Sequence, residues 1–173
     1  MQYHEISPDP RLAAYINCFW VLEAAAESSV DTVFPDGCLE LLFYLQGASD
    51  RVSLADGTST RNPQVELTGQ MTRPYGIRWT PGVRLLGVRF FPHTFGLFAP
   101  RGLSAHEFTD QASDAGAVLG PGFRAVAGRV ADCASLGEAV ALLETYLLTQ
   151  LRRYSPDAAS PYLKFAVPYI LAG

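Results

Sequence analysis

The chain has 173 residues, 49% of them apolar and only 17% charged, with 13 Lys and Arg against 17 Asp and Glu for a net charge of −4. That balance excludes a disordered chain, and with no basic run longer than Arg152-Arg153 it argues against a phosphate-neutralising surface, so the chain alone is a poor nucleic-acid binder. One domain of this size buries roughly 70% of its unfolded surface and needs no metal or disulfide to hold it.

In chain order, Asp9-Pro10-Arg11-Leu12 reads as a short turn opened by an Asp cap. Tyr15–Leu22 reads as a strand that is apolar on both faces and therefore covered on each side. Ser29–Phe34 is a second, short strand. It runs into Pro35-Asp36-Gly37, a turn in which Pro presets φ and Gly supplies a positive one. Cys38–Leu45 follows with strict alternation. Leu39, Leu41, Phe43 and Leu45 should face a core, while Cys38, Glu40, Leu42 and Tyr44 form a mixed face able to line a cavity. Arg51–Ala55 is a weak edge strand, and Val65–Thr68, Tyr75–Trp79 and Leu85–Phe91 are further strands punctuated by Gly and Pro. Beyond Pro92 the pattern becomes helical. A short helix is expected over His93–Phe98, then a stripe at Phe123, Val126, Ala127 and Val130. A longer helix is opened by the capping-box spacing of Ser135 and Glu138, with Leu136, Val140, Leu143, Leu147 and Leu151 on one face. Tyr154-Ser155-Pro156 should end it, and Leu163, Ala166, Val167 and Ile170 mark a last helical segment.

Strands first and helices second is an α+β arrangement: an antiparallel β-barrel or sandwich followed by a helical annex. The implied organisation is a β-barrel-like body over 1–92, an annex packed on it over 93–157, and a further helical start over 158–173. The opening MQYHEISPDP carries neither a basic leader nor an apolar segment, so no secretion signal is expected. No stretch reaches the ~18 apolar residues of a membrane span. Three cysteines, Cys18, Cys38 and Cys133, read as reduced thiols of a cytoplasmic protein. Cys18 and Cys38 could lie on neighbouring strands, although nothing demands a bridge.

The chemistry-bearing residues are few. His4, His93 and His106 are widely separated, so neither a metal nor any other cofactor is expected, and no nucleophile elbow or phosphate loop is present. Asp36 suits its own turn. Glu40, on a half-buried strand face, needs a partner, and Arg89 in Leu85-Leu86-Gly87-Val88-Arg89 is the natural one for Glu40 or for Asp36; the alternative has Arg89 snorkelling to solvent. Trp20, Tyr44, Arg73 and Trp79 combine flat apolar area or charge with a polar handle. With Glu40 and Arg89 they make the candidate ligand-binding set.

The ordered motifs Phe34-Pro35-Asp36-Gly37-Cys38-Leu39-Glu40-Leu41, Gly69 with Arg73-Pro74, and Gly87-Val88-Arg89-Phe90 with Pro92, followed by a helical annex, resemble the N-terminal domain of one branch of AraC-type transcriptional regulators. The resemblance implies a cupin-like domain that senses a small-molecule effector or forms a homodimer, the Ser135–Leu151 helix being the dimer surface unless its stripe packs on the barrel. It also implies that DNA is contacted only through helix-turn-helix units missing from this chain, of which Ser160–Gly173 would be the first helix. Pro168 departs from a straight helix there. The alternative is a small metal-independent enzyme of cupin-like fold, an isomerase or hydrolase using Glu40 with Arg89. No membrane partner is expected.

Overall fold

The computed structural model describes residues 1–25 and 30–153. Ten strands occur among them: β1 (Gln2–Ile6), β2 (Ile16–Ala24), β3 (Asp31–Val33), β4 (Glu40–Gln46), β5 (Ser49–Val52), β6 (Ser59–Arg61), β7 (Val65–Thr68), β8 (Tyr75–Trp79), β9 (Val83–Phe90) and β10 (Ala112–Asp114). Helices α1 (Ala115–Leu119), α2 (Pro121–Ala131) and α3 (Leu136–Arg153) follow. The expected stop at Tyr154–Pro156 and the helix beyond Ser160 lie outside the described residues.

The strands form two antiparallel sheets, one ordered β1-β2-β9-β4-β7-β10 and the other β3-β8-β5-β6. This is a sandwich-like α+β fold, and the closed barrel offered as one form of the expectation does not occur. The larger sheet is the middle of three layers. Leu41, Phe43, Val21, Leu86 and Val88 on one of its faces share a core with Phe123, Val130, Val140, Leu143 and Leu147 of α2 and α3. The opposite face presents Trp20, Leu22, Leu42, Tyr44 and Leu85 to Ile77 and Trp79 of the smaller sheet. The alternation in β4 therefore reads as expected, with Leu39, Leu41 and Phe43 turned toward the helices. The apolar stripe of α3 is buried on this core, which is the second of its two expected roles. Ser135 accepts the Glu138 amide at 3.2 Å, while the Glu138 carboxylate reaches back to the Ala134 amide rather than to Ser135.

Gly37 has φ 74° and Gly82 φ 72°, the positive values that the Pro-Asp-Gly and Pro-Gly turns require. The expected His93–Phe98 helix contracts to one 3-10 turn, Phe95–Leu97. All three cysteines are free. Strand β9 lies between β2, which carries Cys18, and β4, which Cys38 precedes, so the two are not on neighbouring strands.

Candidate functional site

Antiparallel pairing of β4 with β9 sets Glu40 opposite Arg89, and pairing of β9 with β2 sets Arg89 opposite Cys18. From this register Glu40 Oε1 accepts hydrogen bonds from Arg89 Nε at 2.7 Å and from Trp20 Nε1 at 2.9 Å. Asp36 stands 3.6 Å from the same Arg89 nitrogen, and its other oxygen accepts the Cys38 amide at 2.9 Å, the local turn bond expected of it. Gly87 makes the indole position available: a Cβ there would fall 2.1 Å from Trp20 Cε2. Tyr3 of the edge strand closes over Trp20, with ring centroids 5.7 Å apart.

Burial pushes the Glu40 carboxyl up, and Arg89 and the indole pull back without cancelling the effect. Burial works against the Arg89 charge too, but Glu40 and Asp36 outweigh it and the net shift is upward. The hollow beside this cluster measures about 50 Å³ and is lined by Asp36, Glu40, Gly69, Met71, Tyr75 and Arg89 among others. It has room for about one or two waters and none for an organic ligand.

A second polar cluster bridges the sheets. Tyr44 Oη lies 2.5 Å from Ser49 Oγ, and Asn62 Nδ2 donates to that oxygen at 2.8 Å. The Tyr44 hydroxyl also donates to Glu66 at 3.4 Å. Glu66, 1% exposed, accepts from Thr68 Oγ1 at 2.6 Å and from Arg51 Nη2 at 3.3 Å. Burial raises the Glu66 carboxyl above its ordinary 4.5, with Thr68 and Arg51 opposing. The Arg51 guanidinium lies 3.9 Å over the Tyr75 ring centroid, an arrangement that orients it and shields it from water. It opens on a cleft of about 640 Å³, which runs from the β5–β6 hairpin to Met71, Arg73, Pro74 and Tyr75. Met71 and Tyr75 border both the cleft and the small hollow, so the two clusters are contiguous.

A family model described as "Domain of unknown function (DUF6597)" matches residues 4–114. The chain belongs to the DUF6597 family. No curated protein and no solved structure matches it.

The DUF6597 match ends with β10, so it contains both sheets except the first residues of β1, and every residue of both clusters except the covering Tyr3. Within it the structure brings together three of the six sequence candidates, Trp20, Glu40 and Arg89. Tyr44 shares their apolar layer but joins the Glu66 cluster. Trp79 is buried with its indole N–H on Asp31 at 2.9 Å. Arg73 stands exposed on the rim of the large cleft. Sequence reasoning missed Arg51 and Glu66. Their signal was a charge at an inward position of each strand, but β5 and β7 have four residues each, too few for alternation to be read. Among the described residues no group of three or more His, Cys, Asp or Glu is placed to hold a metal ion, and no helix is long and apolar enough to cross a membrane.

Proposed function

We propose that this DUF6597 chain is the effector-sensing regulatory domain of an AraC-type DNA-binding transcription regulator, with its helix-turn-helix units outside the chain. The observation that carries the reading is the convergence of its scattered motifs. Phe34, Pro35, Asp36, Glu40, Gly69 and Arg89 line one hollow, and Gly87 seats the indole that completes the cluster. The net charge of −4 supports a division of labour in which DNA is contacted elsewhere.

Mechanistically, a ligand at the cleft would favour one arrangement of the β5–β6 hairpin against the larger sheet. The helices on the far side of that sheet would then report the change by population shift. A homodimer belongs to the same reading, and light scattering tests it. Its surface is not the Val140–Leu147 stripe, which is buried. An enzyme built on Glu40 is less well supported, because its Oε1 is held by two donors beside a hollow too small for substrate. The deciding experiment is to read the coding frame beyond Gly173. A basic segment with two helix-turn-helix units is the expected result, and a stop codon or unrelated sequence overturns the assignment.

A further inference from the structure

We propose that the cleft between the β5–β6 hairpin and the Met71–Tyr75 segment binds a small organic carboxylate with an apolar body, gripped by Arg51 and Arg73. This gives a ligand class to the sensing proposed above and rests on that reading for its purpose, though not for the binding itself. The size fits: about 640 Å³ lies within the range of small-molecule pockets.

Charge then selects the class. Two guanidinium groups and one carboxylate, Asp110, line the cleft. Asp110 is already engaged, accepting the Thr72 amide at 2.7 Å and the Thr72 hydroxyl at 2.6 Å. Arg51 is paired with the buried Glu66, but its contacts are long or weak. Arg51 spends Nη1 on the weak acceptor Met71 Sδ at 3.2 Å and Nη2 on Glu66 at a long 3.3 Å. Its Nε is cut off from water without an acceptor. Such a donor set, held in place by Tyr75 stacking, is preorganised for an anion and loses little freedom on binding one. Arg73 adds a second charge at the rim, where it also helps hold the Asp110 carboxyl below its ordinary range.

The remaining walls favour an apolar body over a sugar. Val52, Leu54 and Pro74 supply apolar surface. Two of the lining hydroxyls are committed locally, Thr58 Oγ1 donating to Asp56 at 2.8 Å and Ser53 Oγ accepting the Ala55 amide at 3.3 Å.

Calorimetric titration of the purified chain with benzoate, hexanoate, benzamide and glucose tests the site. At least one of the carboxylates should bind about tenfold or more tightly than benzamide, since a charge-assisted contact exceeds a neutral one by roughly that factor. Arg73→Gln should weaken carboxylate binding about tenfold with an unchanged melting temperature, and Arg51→Gln should weaken it further. Equal affinity for benzoate and benzamide, tighter binding of glucose, or no carboxylate binding up to about 10 mM overturns the proposal. Carboxylate binding without helix-turn-helix sequence beyond Gly173 would end the regulator reading and leave the site standing. Helix-turn-helix sequence with no carboxylate binding would do the reverse.

Discussion

Substituting Gly87 by alanine places a carbon 2.1 Å from Trp20 Cε2, 2.4 Å from Nε1 and 2.5 Å from Cζ2. All three atoms belong to a rigid indole that is 6% exposed and backed by Tyr3, so no flexible end can yield. The ring must leave its place, and with it goes the 2.9 Å bond to Glu40. Overpacking of this kind costs ~1–3 kcal/mol, and loss of a hydrogen bond to a charged group adds ~1.5–3 kcal/mol. A destabilisation of about 4 kcal/mol is expected. With a urea slope of about 2 kcal/mol per M, the denaturation midpoint followed by far-UV circular dichroism falls by about 2 M. The control is Trp20→Leu, alone and combined with Gly87→Ala. If the clash is the mechanism, the alanine costs little once the indole is gone, and the double-mutant cycle gives a coupling of more than about 1 kcal/mol. Additive effects would refute the reasoning.

Arg89→Met leaves the Glu40 carboxylate without its counter-charge and should cost about 3–5 kcal/mol, most of it recovered by Glu40→Gln in the same chain; a coupling energy near zero would show that the pair contributes nothing. Because the Glu66 carboxyl sits above its ordinary 4.5 in the folded state, the folded chain retains a proton that the unfolded chain has lost. Stability contributed by Glu66 is therefore greatest below pH 4.5 and declines as pH rises through the folded value. The difference between wild-type and Glu66→Gln denaturation curves across pH isolates this slope, and a flat or rising difference contradicts it. Phe123→Ala removes a side chain that is 1% exposed and lies 6.0 Å from Phe43 and 5.8 Å from Tyr146, centroid to centroid. It should cost about 3–5 kcal/mol while unfolding stays a single transition; two separated transitions would show that helices and sheets do not melt as one unit.

Strands that bury long apolar runs were legible in the sequence, and of those that do not, β3 was read but β1, β6 and β10 were not. β2, β4 and β9 announce themselves through runs that are apolar on both faces. β1 is exposed along four of its five residues and β6 along all three. Each exists because a neighbour offers unpaired backbone groups, a cause that leaves no hydropathy pattern. β10 lies far along the chain from its partner β7, Ala112 pairing with Thr68, so no hairpin signal marks it. The Glu40–Arg89 pair could be anticipated because each is a charge on an otherwise apolar strand face, and such charges seek one another. The Arg51–Glu66 contact joins different sheets. Its existence depends on how the sheets stack, which residue alternation does not encode.

The position of β9 between β2 and β4 also sets a timetable for synthesis on the ribosome. β2 and β4 emerge early, each with apolar side chains on both faces, and neither pairs with the other. Both wait for the strand that separates them, roughly forty residues after Gln46, or several seconds at ~5–20 residues per second. During that interval β2 has only β1 beside it, and β4 only β7 once Val65–Thr68 has emerged, so the apolar edge that each turns toward β9 stays unpaired, a natural point of engagement for holding chaperones. Closure of the larger sheet is then a late, non-local event, the kind that makes folding slow. Changes that delay Val83–Phe90 should lower the yield of folded protein even when the finished fold is fully stable.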